Sequence, residues 1–306
     1  MRARRAIRSR SCGPAPSRPT SPRISYEKRL SSGLDKAMLH SHHFAMNHRL
    51  LVTMSDSARQ WGALWGHDPQ AWARTEELQR PTYEAALRHV PVKAGDSVLD
   101  VGCGTGVFLR MCADRGAAAC GIDASEGLLA VAQERVPEAE LRLGDLQALP
   151  YPDDSFDVVT GFTSFFFAED IVAALREAGR VARPGAPVVI QVFGRPEHCA
   201  IERMKAAVMA FREGEEEYWR PGVVEELVPP AGLEVAAVFD DTWAYEYADA
   251  EALIEGMLAA GGAGAVAGAD GQLRLRAAIF AALADCRQPD GGYHLPNEWH
   301  YVIARA

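Results

Sequence analysis

Nowhere in its 306 residues does the chain carry a run of about 18 apolar residues, so no membrane-spanning helix is expected. Its six cysteines (Cys12, Cys103, Cys112, Cys120, Cys199 and Cys286) are scattered and form no C-x-x-C pair. That argues against a structural zinc site or a disulfide framework and fits a reducing, cytoplasmic compartment. Positive charge is scarce beyond residue 53, where 21 Lys and Arg face 39 Asp and Glu. A body that acidic repels a phosphate backbone, so nucleic acid is not an expected partner. No internal repeat and no long linker follow residue 57.

The first 53 residues are different in kind. They hold eleven Lys and Arg against two acids, Glu27 and Asp35, and are rich in Ser and Pro. His40, His42 and His43 could bind a metal, but a solvated tail is the simpler reading, and no metal is expected in the site. The stretch reads as a disordered basic extension of a domain spanning 54–306, with Met54-Ser55-Asp56-Ser57 like an ordinary N-terminus. After it come Trp61, Trp65 and Trp72, on one or two helices that either pack the core or cover a ligand. The acids Glu213 and Glu215–Glu217 read as a solvated helix end.

What is present, and informative, is Val-Leu-Asp-Val-Gly-Cys-Gly-Thr-Gly at 98–106. Val98, Leu99 and Val101 suit a buried parallel strand. Gly102, Gly104 and Gly106 suit a turn tight enough for a ligand to meet main chain. A helical pattern follows through Val107, Phe108, Leu109, Met111 and Cys112, closed by Gly116. Elements then alternate as a parallel sheet demands. Strands are expected at 117–123, 139–145, 156–162, 187–193 and 233–239, the last extending toward Tyr247, with a final one at 299–304. The Ala/Gly-rich run 261–271 reads as a flexible turn between helices at 249–260 and about 270–285.

Ligands of open α/β sheets bind beyond the carboxyl ends of the strands. The glycine turn, Asp123 and Asp145 all stand at such ends. A carboxylate at Asp123 can accept hydrogen bonds from the ribose hydroxyls of an adenosine, and one at Asp145 can accept from an adenine amine.

The turn is G-x-G-x-G rather than the G-x-G-x-x-G of dinucleotide enzymes. With Asp100, Asp123, G-D-L-Q-A-L-P-Y-P-D-D-S-F-D-V-V at 144–159 and L-R-E-A-G-R-V-A-R-P-G at 175–185, the chain closely resembles the class I S-adenosylmethionine-dependent methyltransferases over about 57–194. The resemblance implies an α/β, doubly wound, mostly parallel seven-stranded sheet of order 3-2-1-4-5-7-6, with helical additions covering the acceptor site. It implies S-adenosylmethionine as cofactor. Gly102, Cys103, Gly104 and the adjoining backbone would hold its methionine part, and Asp100 would organise the turn or meet the cofactor's ammonium group through water. Asp123 would hold the ribose, while Asp145, Leu146 and Ala124 would frame the adenine, with Phe162 bordering the site. The cofactor core would span about 90–194 and the acceptor region about 195–298.

Relatives often carry Asn or Asp after strand four and a His four residues on. Phe162 and Phe166 stand there instead. That removes an obvious base and suggests an apolar floor for a hydrophobic or aromatic acceptor. Trp65, Phe166, Trp243, Tyr245 and Tyr293 are candidates for its pocket, and His198 or His294 for a base. Tyr293 and His294 are expected in a loop before the last strand. The expected activity is methyl transfer to a small molecule. The rivals are a protein that binds the cofactor without transfer and a nicotinamide oxidoreductase, and oligomeric state is left open.

Overall fold

The computed structural model describes residues 54–209, 221–260 and 263–306. The basic stretch 1–53, with its histidines, and the acidic run at 213–217 lie outside the described residues.

Three helices precede the sheet: α1 (Asp56–Trp65), α2 (Pro69–Glu77) and α3 (Arg80–His89). Local chemistry starts the first two. Ser55 Oγ accepts from the Ala58 N–H and Asp68 Oδ1 from the Ala71 N–H, and Pro69 stands where a missing N–H is harmless. Strands and helices then alternate: β1 (Ser97–Val101), α4 (Val107–Ala113), β2 (Ala118–Asp123), α5 (Glu126–Arg135) and β3 (Glu140–Leu143). The chain continues through β4 (Val158–Phe162), α6 (Ile171–Val181), β5 (Pro187–Phe193), α7 (Ala200–Met209) and α8 (Val223–Leu227). It ends with β6 (Glu234–Tyr247), α9 (Ala250–Ala259), α10 (Ala263–Ala282) and β7 (Tyr293–Arg305).

The sheet order is β3-β2-β1-β4-β5-β7-β6, with β7 antiparallel to both its neighbours. This is the order the resemblance implies. Side-chain alternation along each strand sorts the core into two faces. Val98, Val158, Phe162, Val189 and Tyr301 pack under α3, α4, α7 and the late helices. Leu99, Val101, Val159, Val188 and Ile190 pack against α6 and the α8 segment. Among the described residues no helix is long and apolar enough to cross a membrane.

Two expectations are corrected. Helix α10 begins at Ala263, so most of the Ala/Gly-rich run is helical rather than a turn. Alanine is the best helix former, and its abundance there offsets the glycines. Strand β7 begins at Tyr293, so Tyr293 and His294 are strand residues. Residues 293–298 pair along their length with β6, whereas β5 reaches no further than the partner of Trp299. The β6–β7 ribbon therefore projects past the carboxyl end of β5, and long non-local pairing of this kind leaves little trace in a local pattern.

Candidate functional site

The carboxyl ends of β1, β2 and β4 meet at one cleft enclosing about 480 Å³, part of it continuous with solvent. Its floor is Gly102, Asp123, Ala124, Asp145, Leu146 and Gln147. Its wall is Ser164, Phe167 and Ala168, and its cover is Ser55, Ala58, Trp61, Gly62 and Trp65.

Each piece has a local cause. Gly102 sits at φ +78°, and a Cβ there would stand 2.5 Å from the Ser164 Cβ. The turn after β4 can therefore close against the glycine turn, and the Ser164 hydroxyl ties the two by donating to the Val101 carbonyl at 2.6 Å. Thr163 holds φ +49°, a conformation that strains a β-branched residue by about 1–3 kcal/mol, and its N–H is anchored to the Gln191 carbonyl. On the cover, Ala58, Trp61, Gly62 and Trp65 share one helical face. Gly62 lets that face descend, since a Cβ there would lie 2.0 Å from the Ala124 carbonyl oxygen. Trp61 and Trp65 then meet Phe167, with ring centroids 4.7 and 5.7 Å apart.

The carboxylates are unusual. Asp123 accepts from the Gly104 N–H and the Ser125 N–H, both at 2.9 Å. Burial nevertheless pushes its carboxyl up to about 6, with those bonds acting against the rise. Asp100 accepts from the Thr160 hydroxyl at 2.7 Å. Burial first, opposed by that bond and reinforced by nearby Glu76 and Asp123, raises it to about 8. For Asp145 burial also works against the charge, but hydrogen bonds from Ser55 and Gln147 outweigh it and hold the carboxyl below its ordinary value.

Glu76, at the end of α2, is a residue that sequence reasoning missed. It is buried against the glycine turn, accepting from the Thr105 N–H and hydroxyl, both at 2.8 Å, and from the Val107 N–H at 3.4 Å. Burial pushes its carboxyl up, opposed by those bonds and by Arg135. Nothing in a local pattern marks it, because its partners lie about 30 residues on. Ser55, Ala58, Trp61 and Gly62 were more accessible to reasoning: their helical spacing with Trp65 defines one face.

Five of the nine residues expected at the cofactor line the cleft: Gly102, Asp123, Ala124, Asp145 and Leu146. Asp100 and Gly104 lie within the turn's own network, off the cleft wall. Cys103 is packed with Leu109 and Leu129 in a core, and burial raises its thiol. Phe162 points to the other face of the sheet, between Tyr83 and Phe108. Of the acceptor candidates, Trp65 is on the cover, and Phe167 lines the wall where Phe166 was expected. Tyr245 packs near Trp299 and Tyr293 near Phe280, both buried, while Trp243 lies 45% exposed on the edge strand β6. Among the described residues, none from 195–298 lines this cleft. His198 pairs with Glu298 and His294 with Glu246, both off the cleft wall.

Residues 99–190 match the family described as "Methyltransferase domain". A malonyl-[acyl-carrier protein] O-methyltransferase of Serratia marcescens is 35% identical over 116 residues, covering 38% of this chain and 46% of that protein. A 27-O-demethylrifamycin SV methyltransferase of Amycolatopsis mediterranei (strain S699) is 36% identical over 128 residues, 40% of this chain and 47% of that one. The chain spans about half the length of the curated relatives it matches. Among solved structures, the [4+2]-cyclase SpnF covers 84% of this chain and 98% of its own, with TM-score 0.55 and 19% identity. The YcgJ protein from Bacillus subtilis covers 73% and 98%, with TM-score 0.53 and 17% identity. Those two likenesses concern the fold alone.

Proposed function

We propose that this chain, a class I methyltransferase by its domain and its sheet order, moves a methyl group from S-adenosylmethionine to an apolar or aromatic small molecule. The observation that carries the reading is one cleft in which Gly102, Asp123 and Asp145 face an aromatic cover of Trp61, Trp65 and Phe167. The residues present fit the cofactor in kind: carboxylates for a ribose and an adenine amine, and a glycine floor beside them. When bound, S-adenosylmethionine supplies a methyl group made electrophilic by a sulfonium that is also the leaving group.

What the chain contributes is binding, orientation and dryness. Asp123 keeps lone pairs for the ribose after accepting its two backbone bonds, and Asp145 with Leu146 and Ala124 borders the adenine. Trp61, Trp65 and Phe167 exclude water from the mouth and offer flat surface to an apolar acceptor. The acceptor would enter between α1 and the turn at 163–168, where Trp61, Trp65 and Phe167 would orient it toward the donor's methyl group. Among the described cleft residues the titratable groups are Asp123 and Asp145, both tied by backbone donors, so the acceptor brings a nucleophile that needs little help in losing a proton.

The relatives' names, a malonyl-[acyl-carrier protein] O-methyltransferase and a 27-O-demethylrifamycin SV methyltransferase, support acceptors other than nucleic acid, as does the acid excess beyond residue 53. The nicotinamide reading is disfavoured, because Glu76 already holds the donors at the turn-to-helix junction that a pyrophosphate would use. One fold neighbour is titled a cyclase, so methyl transfer itself has to be measured. The test has two stages. Calorimetry should show binding of S-adenosylmethionine and its demethylated product but not of NAD. Label from methyl-tritiated donor should then pass to members of a panel of quinols, phenols and carboxylic acids. NAD binding without donor binding overturns the proposal, and donor binding without transfer to any acceptor class turns it into the binding-only alternative.

A further inference from the structure

The glycine turn has no spare backbone donor. The Gly102 and Cys103 N–H groups both donate to the Ile122 carbonyl, at 2.8 and 3.1 Å, and the Gly106 N–H donates to the Cys103 carbonyl at 3.0 Å. The Gly104 N–H is taken by Asp123, and the Thr105 and Val107 N–H groups by Glu76. Phosphate recognition at a strand–turn–helix junction requires free N–H groups of this kind. Here the donors from 102 to 107 are consumed inside the protein, three of the six by carboxylates.

The charge count points the same way. Glu76, Asp100 and Asp123 are buried around one turn, each within electrostatic reach of another. The cation reaching them is Arg135 of α5, which donates to Thr105 and pairs with Glu77. Other titratable groups within electrostatic reach of Glu76 are Tyr83 of α3, Tyr245 of β6 and Cys103 of the turn, each raised by burial. Buried acids gathered in excess of cations are costly as anions, so they either hold protons or favour a ligand of opposite charge.

We infer that Glu76 is a positioning residue that sets the charge preference of the glycine turn, holding its donors so that the turn receives the cationic end of a sulfonium cofactor and rejects phosphate. The inference rests on the proposed donor. It also goes further, since that reading needs only Gly102, Asp123 and Asp145.

The experiment is calorimetry on the full chain and on Glu76→Gln, with S-adenosylmethionine, S-adenosylhomocysteine (the same ligand without the sulfonium charge) and ADP as a phosphate probe. Glutamine keeps an acceptor for Thr105 and removes the charge. The expected result is about tenfold weaker S-adenosylmethionine binding, a smaller loss for S-adenosylhomocysteine, and ADP binding that is measurable only in the variant. A purely structural role would weaken both adenosyl ligands alike, and equal losses overturn the inference, as does unchanged affinity in a folded variant. Wild-type protein that binds neither adenosyl ligand sinks the proposed function instead, and the inference with it. Should Glu76→Gln fail to fold, wild-type titrations at neutral pH in two buffers of different ionisation enthalpy decide. Proton release on binding S-adenosylmethionine supports the inference, because a cation drives buried acids to ionise; no release overturns it.

Discussion

Acidic side chains at two places on the same sheet edge behave in opposite ways. At the ends of β1 and β2, Asp100, Asp123 and the incoming Glu76 are buried with more acid than base, and burial raises all three. At the end of β5, Glu298 of β7 is almost as buried but accepts from the Arg195 N–H and guanidinium and from His198. The Arg195 hydrogen bonds dominate there, overcoming burial, and the carboxyl falls to about 2. One cluster is charge-complete and works as a clasp between β7 and the segment after β5. The other lacks a matching set of cations, and burial drives its carboxyls toward the protonated form. The difference separates a structural ion pair from the proposed cofactor site, although both contain buried acids and a histidine occurs only in the ion-pair cluster.

The comparison can be broken most forcefully at Gly102. Gly102→Ala places a side chain into Ser164 at a left-handed φ, so donor affinity should fall by roughly a hundredfold or more by calorimetry. A Gly102→Ala/Ser164→Gly double variant should recover part of it; full affinity in the single variant would remove the turn from the site. Next in size, Asp123→Ala should weaken donor binding by about 1–3 kcal/mol, the loss of hydrogen bonds to a buried carboxylate. Unchanged affinity would exclude Asp123 from ligand contact.

The clasp should respond in the other observable. Glu298→Gln should lower the melting temperature by roughly 2–4 °C while leaving donor affinity within twofold. A large loss of donor affinity there would erase the distinction between the two regions.

The smallest effect is the pH profile of the ligand-free protein. The Asp100 carboxyl is raised when folded, so between 3.8 and about 8 the native state holds a proton that the unfolded chain has released. Stability from this group therefore declines as pH rises through that window. Glu298 is lowered, so its contribution is complete above 4.5 and is lost as pH falls toward about 2. Thermal melts of Asp100→Asn and Glu298→Gln against wild type, from pH 3 to 9, should flatten opposite ends of the curve. A Glu298→Gln profile that differs from wild type only at alkaline pH would contradict the assignment.

How much of this could be read beforehand follows from range. The strand–turn–helix at 97–113 was legible because its signals are adjacent: an apolar run, three alternating glycines and a helical stripe. Asp123 and Asp145 were legible because strand ends in an alternating pattern can be counted. The cover was half legible, since the tryptophan spacing pointed to a helix face without saying what it faced. Tyr245 and Tyr293 were misassigned because an aromatic on a strand looks the same whether it lines a cleft or packs beneath helices. Only the register of β6 on β7, and the helices laid over it, decides between the two.

The amino-acid order alone therefore determined the sheet, its glycine turn and the acids at its strand ends, because hydrophobic period and turn chemistry act over a few residues. Tertiary structure decided the rest. It brought Glu76 onto donors at 105 and 107, set Gly62 on Ala124, and gave Glu298 its cations while leaving Asp100 and Asp123 without them. A carboxylate's charge state depends on what surrounds it in space, and that environment is assembled from segments far apart along the chain.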